Sequence, residues 1–283
     1  MVDPRRRRWP AAFVVVVGLG AVLVPAAGAQ PLVTTTSSPT TTSFPTTTSS
    51  VTTSVTTSPS PAPSSTTSTT SSAIAASRLL AASISAANAE SALEWRATMR
   101  GHGLQVTEVA HAGRVDGTQT VTGYYRDAAP LSLSLVLVGH KAYVLANAGA
   151  LQHLVGLKLS AALKEAGKWI VVPASYHGVF EKLAAGLTVT SATQQLNLVG
   201  ELELLPERSL AGRAVVGVSG TTMAFGAPGT QVVYVRAIGA PLPVEALQDY
   251  EGALQSMSFA QWGQAPAAKA PRGASPFERS WLS

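Results

Sequence analysis

Residues 132–173, SLSLVLVGHKAYVLANAGALQHLVGLKLSAALKEAGKWIVVP, hold the change of rhythm that decides the fold. The runs 132–138 and 141–146 are short and strand-like, and Gly139-His140 between them is a turn signal. From Ala150 to Ala166 the spacing changes. Leu151, Leu154, Val155, Leu159, Ala162 and Leu163 recur at intervals of three and four, with Lys158, Lys164 and Glu165 opposite, which predicts one amphipathic helix. Gly167 stands where a helix ends on a left-handed residue, and Lys168–Pro173 returns to a strand-like run. Strands in series followed by a helix and a further strand predict an α+β domain with an antiparallel meander.

Upstream, the pattern continues with a run at 118–125, bounded by Asp116-Gly117 and Ala129-Pro130. Before it, Trp95, Ala97 and Met99 alternate with polar residues, Gly101–Gly103 turns the chain, and Leu104, Val106 and Val109 follow as a second strand. Ala73–Leu93 is Ala-rich, with Ile74, Leu79, Leu80, Ile84, Ala87 and Leu93 at helical spacing and Ser71 or Ser72 placed to cap it. Downstream, Val179, Phe180, Leu183, Ala184 and Leu187 form a third helical stripe. Strands are expected at about 213–219, 231–238 and 254–259. Residues 267–283 are rich in Ala and Pro and are expected to be disordered, with Phe277 and Trp281 unusual in such a tail.

Before the domain the composition changes twice. Pro31–Ser72 runs without a charged side chain and is nearly all Thr, Ser and Pro. Such a tract cannot bury enough apolar surface to offset its entropy, so residues 30–72 are expected to be an extended, solvated stalk, bare or carrying O-linked sugars. Residues 1–29 have the three regions of a secretory signal: Arg5–Arg8, the apolar run Ala11–Val24, and the small residues Ala27-Gly28-Ala29. Cleavage is expected between Ala29 and Gln30. The apolar run is shorter than the roughly twenty residues a spanning helix needs. A membrane anchor is expected only if the signal stays uncut. Residues 73–266 remain as one folding domain, long enough for a single core.

The formal charge of +5 shrinks once Arg5–Arg8 and Asp3 are set aside, leaving the remainder near +2. Its cations are scattered among acids, which argues against nucleic-acid binding. The absence of cysteine excludes disulfides, thiolate metal sites, Cys nucleophiles and a lipid on sulfur. His102, His111, His140, His153 and His177 never share the short spacing of metal ligands. Glu108 and His111, three apart on a strand, point to opposite faces, and Glu201 with Glu203 read as a solvent-facing pair. With no nucleophile elbow and no phosphate loop, the expectation is a protein with no catalytic residues, no metal and no cofactor. The apolar stripes themselves fit an ordinary core as well as a cavity lining.

Five segments taken in order, AYVLANAGAL (142–151), GKWIVVP (167–173), AGRAVVGVSG (211–220), VVYVRAIGAPLPVE (232–245) and SFAQWGQAP (258–266), resemble the actinobacterial lipid-carrier proteins around LprG and LppX. That branch is similar in fold to the LolA lipoprotein carrier. The resemblance covers about 73–266 and implies a strongly curved, unclosed antiparallel sheet, a half-barrel wrapping helices. Between the two it implies an apolar cavity for acyl chains. It further implies that 234–243 is a strand leaving through a Gly-Pro turn, with 259–263 on the next strand.

On that implication Leu151, Leu154, Val155, Leu159, Leu163, Phe180, Leu183 and Leu187 are the candidate lining. The sequence departs from many such relatives at Ala26–Gln30, where there is no cysteine to lipidate. The first expectation is therefore a secreted, monomeric, non-enzymatic protein holding acyl chains of an envelope lipid or lipoglycan. The second is a cell-wall interaction or scaffold module, contacting an envelope protein or glycan, with a full interior.

Overall fold

The computed structural model describes residues 67–126, 130–224, 227–250, 252–264 and 266–282. The expected signal, its Ala29-Gln30 junction and the stalk up to residue 66 lie outside the described residues. Helix α1 (Thr67–Ala89) starts earlier than expected, so the last residues of the tract are helical and Ser71 and Ser72 lie inside the helix. Helix growth from a formed Ala-rich segment adds one hydrogen bond per residue and carries even weak helix formers along. Ala76, Leu80, Ser83 and Ala87 are its buried residues, whereas Ile74 is exposed and Leu93 already belongs to a strand.

The meander is observed as β1 (Ala92–Gly101), β2 (Leu104–Gly113), β3 (Asp116–Tyr125), β4 (Leu131–Val138) and β5 (Lys141–Ala146), each antiparallel to the one before. After three short helical pieces β6 (Ile170–Pro173) joins β5. The chain then crosses to the far edge through α4 (His177–Ala184) and α5 (Val189–Thr193), and builds β7 (Val199–Leu204), β8 (Arg208–Leu210), β9 (Arg213–Ala224), β10 (Ala227–Arg236), β11 (Pro243–Tyr250) and β12 (Ala253–Ala260). Strand β12 pairs with β1 and joins the two halves. The sheet path is β13-β6-β5-β4-β3-β2-β1-β12-β11-β10-β9-β7, with β8 beside β9, and its two ends do not pair. This is the unclosed α+β half-barrel: inner-face residues from both halves and from the helices belong to one core cluster.

Strand β11 intervenes where 259–263 had been expected on the strand after 234–243, and residues 261–263 lie beyond the end of β12. Ala246, Gln248 and Tyr250 are the inward residues of its second half, so no apolar alternation marks that part of it.

The helix expected over 150–166 is broken. Asn147 caps a single turn, α2 (Ala148–Ala150), a π turn covers Leu151–Val155, and Gly156 ends it at φ +87°, a conformation that costs a glycine little. Leu157 then bridges to Leu282, and α3 (Leu159–Glu165) restarts in a new phase. That phase buries Ala161, Ala162 and Glu165 and leaves Leu159 and Leu163 54% and 63% exposed. Gly167 follows α3 with a positive φ, as expected.

The tail expected to be disordered is packed. Ser275–Pro276 forms β13, which pairs parallel with β6. The Ser275 amide donates to the Trp169 carbonyl (2.8 Å), Phe277 to Val171 (3.0 Å), and Lys158 to Trp281 (2.8 Å). The Phe277 ring stands edge-on to Tyr176 and to Trp281, 5.1 and 5.7 Å between centroids. Two buried aromatic rings contribute enough apolar area to order a short segment.

Candidate functional site

The eight candidate residues are sought between the inner face of the sheet and its helices. In the half built from β1 to β6 that face is mainly aliphatic, with Leu131, Leu133, Leu135 and Leu137 on β4, Val106 and Val121 beside them, and Ala142 and Val144 on β5, interrupted by the buried pair Glu108 and Gln119. Strict alternation produces it, because every second residue of a strand faces the same side. The cover is the π turn, α4 and the loop after it. Leu151, Leu154, Val155, Leu183 and Leu187 are buried in the common core, and Phe180 packs against it half-buried. Leu159 and Leu163 point to solvent, so the change of helical phase removes them from the interior.

The loop after α4 is held to the sheet by two contacts. The Trp95 indole N–H donates to the Gly186 carbonyl at 2.8 Å, and Gly113 bridges to Thr188. A Cβ at Gly117 would lie 2.1 Å from the Leu187 carbonyl oxygen, so only glycine lets the strand and loop approach this closely.

The other half of the inner face is built differently. Across β10, β11 and β12 the register aligns Gln231, Gln248 and Gln255 as direct cross-strand neighbours, with Met99 of β1 next in the row. They are 1%, 6% and 5% exposed. Gln231 and Gln248 each donate an amide N–H to the same carbonyl, that of Gln195 in the 3₁₀ turn Gln194–Leu196, at 3.1 and 3.5 Å. The Tyr250 hydroxyl donates to Gln248 Oε1 at 2.6 Å. Burial pushes the Tyr250 phenol up to about 12, against a smaller opposing effect of its hydrogen bond with Thr222. Gln231 Oε1 is buried and accepts no hydrogen bond among the described residues.

This row was not anticipated. Gln248 and Gln255 lie at equal distances from the β11–β12 turn, and that symmetry is the one signal the sequence offers, legible only once β11 is recognised.

The other polar groups singled out in the sequence are scattered over the fold. Glu108 is on the inner face and accepts from Gln119 Nε2 at 2.7 Å, while His111 is on the opposite face, its Nδ1 3.7 Å from Glu94 Oε2. His102, His140 and His177 are exposed, and His153 lies against the Tyr125 ring at 4.9 Å. Glu201 and Glu203 are both exposed on β7. Among the described residues no group of three His, Asp or Glu is arranged to hold a metal, and no helix is long and apolar enough to cross a membrane. Two surface concavities, of about 620 and 400 Å³, lie by the β4–β5 turn and by the β9–β10 strands, and neither is lined by the eight candidate residues.

No model of a protein family matches the chain, and no curated protein matches it. Among solved structures it is similar to LprF from Mycobacterium bovis, with TM-score 0.47 and 14% identity over 71% of this chain and 98% of that one. It is similar to an uncharacterised conserved protein from Thermus thermophilus, with TM-score 0.38 and 12% identity over 72% of this chain and 99% of that one. It is also similar, with TM-score 0.47 and 14% identity over 69% of this chain and 99% of that one, to the Mycobacterium tuberculosis lipoprotein LppX.

Proposed function

We propose that this chain is an exported, non-enzymatic protein that holds acyl chains of an envelope lipid or lipoglycan between its sheet and its helices. The observation that carries the reading is the one-sided interior: a leucine-rich sheet face covered by short, broken helical pieces. The cover is made of short pieces interrupted at Gly156 rather than one long helix, and short pieces open at lower cost than a continuous element. Each methylene moved from water into that space is worth about 0.8 kcal/mol, so a chain of ten or more binds without charged recognition. The sequence resemblance to lipid carriers points the same way.

On this reading residues 1–29 are the export signal, 30–66 the stalk, and the monomer is released when the signal is cut after Ala29. The test is mass spectrometry of organic extracts from the purified protein, together with titration of a fluorescent fatty acid. Lipid in the extract and saturable binding are the expected results. Neither appearing would end the reading.

A second reading, an interaction module displayed on the stalk, is favoured by one observation. The two surface concavities lie away from a core whose largest side chains are fully buried. A pull-down from envelope fractions that returns one saturable protein or glycan, with no lipid extracted, would establish it instead.

A further inference from the structure

Building on the acyl-binding reading, we propose that the row Gln231, Gln248 and Gln255 receives the uncharged polar head of the ligand, an ester, amide or hydroxyl group. The row lies one step in from the strand ends at Tyr250 and Ala253, so it faces the interior close to one rim of the half-barrel. The next inward residues on the same three strands, Val233, Ala246 and Met257, belong to the apolar core. A chain lying along that core therefore brings its head to the glutamines.

The chemistry of the row selects against charge. Inward residues on β9 to β12 include Gly220, Thr222, Gln231, Gln248, Tyr250, Gln255 and their apolar neighbours, with no Lys, Arg, Asp or Glu among them. A carboxylate or phosphate placed there would be desolvated without a counter-ion, which is far costlier than burying a neutral group that keeps its hydrogen bonds. The row already holds a neutral acceptor: the Gln195 carbonyl takes two amide donors, the pattern an ester or amide carbonyl would reproduce. Gln231 Oε1, buried and unpartnered, is left to accept from a hydroxyl or amide N–H. Buried acceptors in folded proteins are nearly always satisfied, and a missing partner points to a group that the chain does not itself supply.

The test uses the secreted chain and two probes of equal acyl length, 1-monopalmitoylglycerol and palmitate at pH 8, each displacing a fluorescent acyl probe. Monopalmitoylglycerol is expected to bind at least about tenfold more tightly, a preference of about 1.4 kcal/mol. The double variant Gln231→Leu with Gln248→Leu, its folding checked by circular dichroism and a cooperative thermal transition, should bring the ratio near one; a folded variant that keeps the native ratio overturns the head-group assignment. Equal or tighter binding of palmitate by the native chain overturns the head-group assignment and leaves acyl binding standing. No displacement by either probe overturns both.

Discussion

The two halves of the inner sheet face occupy equivalent places in the fold and differ in composition: one is mainly aliphatic around the single Glu108–Gln119 pair, the other is crossed by a row of three amides. Leu135 on β4 and Gln231 on β10 are both 1% exposed, one in an aliphatic ladder and the other in a row of amides. Burial alone therefore does not tell core from site. A ladder of leucines is stabilised by packing that has one good arrangement, whereas an amide row keeps donors and acceptors that can exchange one neutral partner for another.

Swapping the residues tests the contrast most directly. Leu135→Gln should cost about 3 kcal/mol by chemical denaturation, since it removes packing and buries an amide whose polar neighbour in the same row is Gln119. A cost below about 1 kcal/mol would mean that the leucine half is not the tightly packed one. Trp281→Ala should cost about 3 kcal/mol, because the ring packs with Phe277 against the same half and anchors the tail along β6. Trp95→Phe, which deletes the bond to Gly186 that pins the cover, should cost about 1–2 kcal/mol and raise hydrogen exchange at 185–188.

In the amide half the effects are smaller and of a different kind. The Tyr250 phenol is raised from 10.0 to about 12, so the folded chain keeps a proton there that the unfolded chain gives up. Its contribution is whole below about pH 10 and is lost as pH rises through about 12. Tyr250→Phe should therefore flatten the fall in stability across that window relative to the native chain. A parallel fall in both proteins would place the hydroxyl in solvent. Gln231→Leu should change stability by less than about 1 kcal/mol, since Gln248 still serves the Gln195 carbonyl.

Strand alternation was legible wherever the inward side was apolar. Trp95, Ala97 and Met99 declare β1, and the five strands from β1 to β5 form the expected meander. The second half of β11 was invisible for the opposite reason: its inward Ala246, Gln248 and Tyr250 carry no apolar period. Periodicity also ran two helical pieces together over 150–166. A stripe of leucines cannot reveal that Gly156 resets the phase, and Leu159 and Leu163 consequently face solvent while Leu151, Leu154 and Val155 stay inside. The tail misled through composition. Ala and Pro around it read as disorder, yet Phe277 and Trp281 find their partners on β6 and at Tyr176, far back along the chain.

What the sequence by itself determined is local: the α+β class, the first five strands, the positions of their turns and the lack of any cysteine. These follow from residue type and spacing, which act within a few neighbours. The joining of β12 to β1, the crossing to the far edge, the packed tail and the glutamine row were decided only by the tertiary structure. Each depends on which distant strands become neighbours, and cross-strand register, unlike periodicity, is a property of the pair rather than of either segment.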